Sequence, residues 1–139
     1  MIRFFVYGTL MEGMSNHKVI PQEAIESIEK ASISNMDLYL YPSGTFPCMI
    51  PGNGIVRGEV ITIKPEFVEI SLYLMDQLEG YDDSNLKEDN FYNREVKAVA
   101  LDSNEYVEAY AYIYNKGFNS TLGSRIAGGD FKLWKTQSL

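Results

Sequence analysis

The chain has 139 residues, 45% of them hydrophobic, and 19 acidic against 12 basic side chains give a net charge of −7. That is one domain's worth of chain, read as a single domain over 1–139, and its acidity excludes a nucleic-acid partner and disfavours an anionic membrane surface. No apolar run approaches the roughly 20 residues of a spanning helix and no signal pattern opens the chain, so a soluble, cytoplasmic protein is expected. With Cys48 the one cysteine and His17 the one histidine, neither an internal disulfide nor a structural zinc set can form, and no metal or cofactor is expected.

An apolar strand is predicted over 2–7, and it has to end at Tyr7-Gly8-Thr9-Leu10. A strand that stops at Gly and Thr leaves N–H groups without ladder partners, free to point at an anion or a carbonyl oxygen. The next run, 11–16, ends in the helix-capping types Ser15 and Asn16, which bounds the loop and places His17 exposed near a first helix. A turn with no ligand is the competing reading of the same residues.

Met36, Leu38 and Leu40 alternate with Asp37, Tyr39 and Tyr41 as a half-buried strand does, with 28–34 pairing beside it. Pro42-Ser43-Gly44 breaks that strand. Phe46-Pro47 and Pro51-Gly52-Asn53-Gly54 punctuate an irregular stretch before a β-branched strand over 55–63. Gly52-Asn53-Gly54 lacks the context of a dinucleotide fingerprint and is assigned to a turn. Pro65 suits the first turn of a helix over 66–78. An acidic loop, 81–90, precedes strands over 91–100 and 106–114, which the turn chemistry of 102–105 joins as an antiparallel hairpin. In the tail, Gly128-Gly129-Asp130 is a turn, and Phe131, Leu133 and Trp134 read as a closing edge. The pattern is α+β: a mixed, mostly antiparallel, barrel-like sheet with one main helix.

Phe67, Val68, Ile70, Leu72, Leu74, Met75 and Leu78 cover one broad arc of the helix, with Glu66, Glu69, Asp76 and Gln77 opposite. Glu79 projects between Val68 and Leu72, inside the apolar arc, where an ionised carboxylate would lose several kcal/mol of solvation. Either it turns to water at the helix end beside Gly80, or it walls a partly apolar pocket with its pKa raised toward neutrality, suited to general acid or base work.

Arg94, on the face of Tyr92, Val96 and Ala98, needs an acidic partner if it points inward; a structural ion pair is favoured over a substrate clamp. Tyr110, Tyr112 and Tyr114 share a strand face and read as packing, with one hydroxyl at a pocket mouth as the sharper alternative. Asp82, Asp83, Glu88 and Asp89 read as solvated surface that could also select a cationic leaving group. Cys48 reads as buried packing rather than a nucleophile.

Tyr7-Gly8-Thr9-Leu10, Phe46-Pro47 with Pro51-Gly52, Arg57-Gly58-Glu59-Val60, Leu78-Glu79-Gly80-Tyr81, Tyr92-x-Arg94 and Gly129-Asp130 occur in the order seen in γ-glutamylcyclotransferase-like proteins, which include γ-glutamylamine cyclotransferases and the plant AIG2-like proteins. The resemblance runs over 4–134. It implies a small mixed barrel whose pocket lies between the first-strand loop and a glutamate at a helix end. It also implies that Tyr7, Gly8, Thr9 and Leu10 hold a γ-glutamyl head mostly through backbone groups and that Glu79 is the acid/base. The implied reaction converts a small γ-glutamyl amine or amino acid to 5-oxoproline without metal or cofactor. A non-catalytic binding module with the same pocket, or a lyase removing a γ-glutamyl group within a pathway, would share these residues.

Overall fold

The computed structural model describes residues 2–117 and 119–137. Positions 1, 118, 138 and 139 of the domain read from sequence lie outside the described residues. Strands β1 (Ile2–Val6), β2 (Ile25–Leu40), β3 (Pro47–Ile63), β4 (Tyr92–Leu101) and β5 (Tyr106–Tyr114) close into a barrel in the order β1-β3-β2-β4-β5. Every neighbouring pair is antiparallel except β1 and β5, which run parallel with Phe4 opposite Tyr110. This is the mixed, mostly antiparallel α+β architecture expected. Fully buried Phe4, Phe5, Met49, Val60, Ile61 and Ala111 belong to one continuous apolar core.

The β4–β5 hairpin has the predicted form, with Val96 opposite Tyr110 and Arg94 opposite Tyr112. The segments read as two short strands at 28–34 and 36–41 are instead one strand of 16 residues paired to a β3 of 17. Their ladder slips between Ser34 and Met36, around Asn35 in the left-handed region at φ 61°. A bulge there bends the strand and breaks its alternation, which is why it reads as two pieces. The stretch around Pro51-Gly52-Asn53-Gly54, expected to be irregular and to turn, lies within β3. A Cβ on Gly52 would fall 2.1 Å from Asp37 Oδ2, and one on Gly54 2.5 Å from Oδ1. These glycines make room inside the sheet for Asp37, whose carboxylate pairs with Arg125 at 3.2 Å.

Pro65 opens a single 3-10 turn, Pro65–Phe67, that leads into α1 (Val68–Glu79). The helix stops at Gly80, in the left-handed region at φ 65°, whose N–H bonds the Asp76 carbonyl. Its apolar arc is narrower than expected: Ser71 and Met75 are buried, whereas Ile70 and Leu78 are exposed. The closing edge expected at Phe131, Leu133 and Trp134 is a short helix, α2 (Phe131–Gln137). Asp130 Oδ1 accepts the Leu133 N–H at 2.9 Å as its N-cap, and Phe131 stacks on Trp134 with centroids 5.7 Å apart. Residues three apart meet on a helix, and so short an apolar segment does not reveal its period.

Candidate active site

Past Val6, which pairs with Glu59, the chain leaves the sheet. Tyr7 turns its ring inward and donates its hydroxyl to the Tyr112 carbonyl at 2.6 Å. The carbonyls of the next three residues are then all taken by the segment that follows. Met11 N–H bonds Gly8 O at 3.1 Å and Asn16 N–H bonds Thr9 O at 2.8 Å. His17 Nδ1 lies 2.9 Å from Leu10 O, and because a carbonyl only accepts, that nitrogen carries the proton. Asn16 Nδ2 also bonds Thr9 Oγ1 at 2.9 Å. Among the described residues none accepts a hydrogen bond from the N–H groups of Gly8, Thr9 or Leu10. With the carbonyls tied back, three successive N–H groups are left over beside a cavity, as a nest for negative charge requires.

The loop is braced on both sides. Glu59 accepts the Glu12 N–H at 2.8 Å with one oxygen and the Lys132 ammonium at 3.1 Å with the other, tying the loop to β3 and α2. A Cβ on Gly8 would stand 2.7 Å from Pro47 Cγ, so only glycine lets the backbone lie against the start of β3. His17, expected exposed near a helix, is buried in a single 3-10 turn (His17–Val19) and serves as a strut under the loop. No periodic pattern around it could have shown this.

Glu79, the last residue of α1, lines the same cavity of about 380 Å³ as Tyr7, Gly8, Thr9 and Leu10. Phe46, Pro47, Phe91, Tyr92 and Tyr112 contribute much of the remaining wall, and no lysine or arginine lines it among the described residues. Glu79 is a partly buried residue. Among the described residues nothing donates a hydrogen bond to its carboxylate, and burial pushes its pKa up to about 7. Of the two placements open to it in the sequence, the cavity wall is the one adopted.

The hydroxyls around it are held neutral and point elsewhere. Tyr92 donates to Pro47 O at 2.8 Å, and Tyr112 donates to Asp76 Oδ1 at 2.6 Å. Burial is the first cause raising the pKa of Tyr7, Tyr92 and Tyr112 well above the phenol range; the charge of Glu79 comes next at Tyr7, and the hydrogen bond and charge of Asp76 come next at Tyr112. Cys48 is buried, and its thiol is pushed up to about 12 mainly by that burial, which makes it packing and not a nucleophile.

Arg94 is largely enclosed and finds its acidic partner in Asp76 on α1, stacking between the rings of Tyr81 and Tyr110 at 5.0 and 4.9 Å. It stands outside the cavity wall. Of the three β5 tyrosines, Tyr112 reaches the cavity, while Tyr114 bonds Asn119 O at 3.2 Å and packs edge-on to Phe91. In the acidic loop Asp82 to Asp89 are exposed, and hydrogen bonds from Ser84 hold the Asp82 carboxyl below its usual range. The sequence did not single out Asn16 as a tie for the loop, nor Asp76, which sits on the helix face read as solvated. The one available signal for Asp76 was its place three residues before Glu79.

Residues 4–133 match the family described as gamma-glutamyl cyclotransferase, AIG2-like. The γ-L-glutamyl-butirosin B γ-glutamyl cyclotransferase of Niallia circulans is 31% identical, over 99% of this chain and 80% of that one. Among solved structures, YkqA from Bacillus subtilis superimposes with a TM-score of 0.69 at 24% identity, covering 99% of this chain and 42% of its own. An AIG2-like protein of Mus musculus does so with a TM-score of 0.58 at 22% identity, covering 81% and 76%. At these identities the solved structures share the fold.

Proposed function

The chain belongs to the gamma-glutamyl cyclotransferase, AIG2-like family, and from that premise we propose that it converts a γ-glutamyl amine or γ-glutamyl amino acid to 5-oxoproline and a free amine, with Glu79 moving the protons. The observation that carries this reading is the pairing, in one cavity, of an unpartnered carboxylate titrating near neutrality with the three free N–H groups of Gly8, Thr9 and Leu10.

The substrate brings its own nucleophile. Its α-amine closes a five-membered ring on the γ-carbonyl, forming one C–N bond, and the amide C–N bond breaks to release the amine. The chemistry therefore calls for neither a metal nor a covalent enzyme intermediate. The α-nitrogen starts as an ammonium and cannot attack until it loses a proton, which ionised Glu79 accepts and later delivers to the leaving nitrogen. Two protons in all pass from the α-nitrogen to the leaving amine, and a carboxylate with a pKa near 7 can carry each in turn. The loop N–H groups share the α-carboxylate and the oxyanion that develops on the γ-carbonyl, a role fixed dipoles fill well in a poorly hydrated site. Holding the flexible head folded supplies the proximity term.

The test is a panel of γ-glutamyl amides assayed for 5-oxoproline. Glu79→Gln is expected to lower turnover by about 10²–10⁴-fold. Undiminished product in that variant would remove Glu79 from the mechanism. Saturable binding of γ-glutamyl compounds with no product would make the chain a binding module.

A further inference from the structure

Asp76 lies one helical turn before Glu79, and the two ends of that residue do different work. Its backbone carbonyl accepts the N–H groups of Gly80 and Tyr81 and so closes α1 just past Glu79. Its carboxylate accepts hydrogen bonds from Arg94 on β4 and from the Tyr112 hydroxyl on β5, two residues paired side by side on neighbouring strands. The backbone of the same Tyr112 receives the Tyr7 hydroxyl at 2.6 Å. A single tyrosine thus joins the helix end that presents Glu79 to the loop that lines the same cavity.

We propose that Asp76, Arg94 and Tyr112 are positioning residues for Glu79: they pin the end of α1 to the barrel, and Asp76 closes the Arg94 charge so that the guanidinium does not hold Glu79 permanently ionised. This rests on the reading of Glu79 as the proton carrier.

The surroundings explain why the charge must be closed. Arg94 is largely enclosed, its side chain 14% exposed, and aromatic rings stack against it. Solvent therefore screens its charge poorly. Burial works to lower the Arg94 pKa, but the hydrogen bond and charge of Asp76 outweigh it, so the guanidinium stays charged. The other titratable groups facing Glu79 are Tyr7 after β1, Cys48 on β3, Tyr92 on β4 and Tyr112 on β5, and burial keeps all of them neutral. The charged pair adjoining Glu79 along the helix is Asp76 with Arg94, and burial alone accounts for the raised Glu79 pKa, as a closed pair requires. Residues three apart on a helix are surface neighbours, so removing either charge exposes Glu79 to the other.

The signs of the two deletions are opposite. Asp76→Asn leaves Arg94 unbalanced, which favours the Glu79 carboxylate and moves the acid limb of the kcat/KM profile to lower pH, by about half a unit to one unit. Arg94→Gln leaves Asp76 unbalanced and moves the limb up by a similar amount. Arg94→Lys keeps it near the wild-type position, and the double variant returns toward it. The same shifts are read without turnover by ¹³C NMR titration of labelled glutamate, with the Glu79 signal assigned through Glu79→Gln. An ion pair that only holds the fold would lower activity and leave the Glu79 titration where it was, or move it the same way in both variants; either result overturns the proposal. Each single variant is judged alone, so if one does not fold, an unmoved titration in the other is enough to reject it. Full activity in Glu79→Gln would instead defeat the cyclotransferase mechanism, and the NMR titration would still judge the charge pair.

Discussion

Replacing Glu79 by Gln should cost activity and raise stability, with a pH dependence that follows from the site. Burial lifts the Glu79 pKa from 4.5 to about 7, with no hydrogen bond or cation among the described residues to offset it. A carboxyl whose folded pKa is raised favours the folded state while protonated. That contribution is whole below pH 4.5, falls as the unfolded chain ionises, and is gone once pH passes about 7. At 1.36 kcal/mol per unit, the shift corresponds to about 3 kcal/mol of destabilisation at pH 8, which a neutral isostere of the same shape does not suffer. Urea unfolding of the wild type and Glu79→Gln at steps from pH 4 to pH 9 should therefore give near-equal midpoints at pH 4. A gap in favour of the variant should open through pH 5 to 7 and then level off. In thermal unfolding at pH 8 the gap should be roughly 5–10 °C for a domain of this size. A difference that stays flat across the range would show that the carboxylate is solvated and refute the reasoning from burial.

Gly8→Ala puts a Cβ 2.7 Å from Pro47 Cγ, so the loop must shift; KM should rise, with about 1–3 kcal/mol lost in denaturant unfolding. Tyr7→Phe leaves the buried Tyr112 carbonyl without its donor and should cost about 1–3 kcal/mol by the same measurement. Cys48, buried with its thiol pushed up to about 12, should resist a thiol reagent at pH 8 in the folded protein and react once urea unfolds it.

Both halves of the candidate site are visible in the sequence because each violates a local pattern. The loop stands where a strand has to stop, and Glu79 stands where a helix face should be apolar. The β4–β5 hairpin is equally legible, since alternation and turn chemistry both act between neighbours in the chain. Asp76 shows how the same reasoning fails. Its helical direction is polar and suggests solvent, yet the strands of the barrel bring Arg94 and Tyr112 to it. The misread pieces of β2 and β3 have a related cause: the Asn35 bulge and the glycines beside Asp37 answer to a partner strand.

Periodicity and turn residues, properties of adjacent residues, therefore suffice for the fold class and for marking the loop of Tyr7, Gly8, Thr9 and Leu10 and the misplaced Glu79 as candidates, each with a second reading left open; their roles as one site came from the family resemblance. That the loop and Glu79 face one cavity was decided only in three dimensions, where β1 runs parallel to β5 and the barrel closes. So was the freeing of the loop N–H groups, which depends on Asn16 and His17 taking up the carbonyls. The carboxylate's pKa has the same origin, because the desolvation that raises it comes from walls contributed by distant parts of the chain.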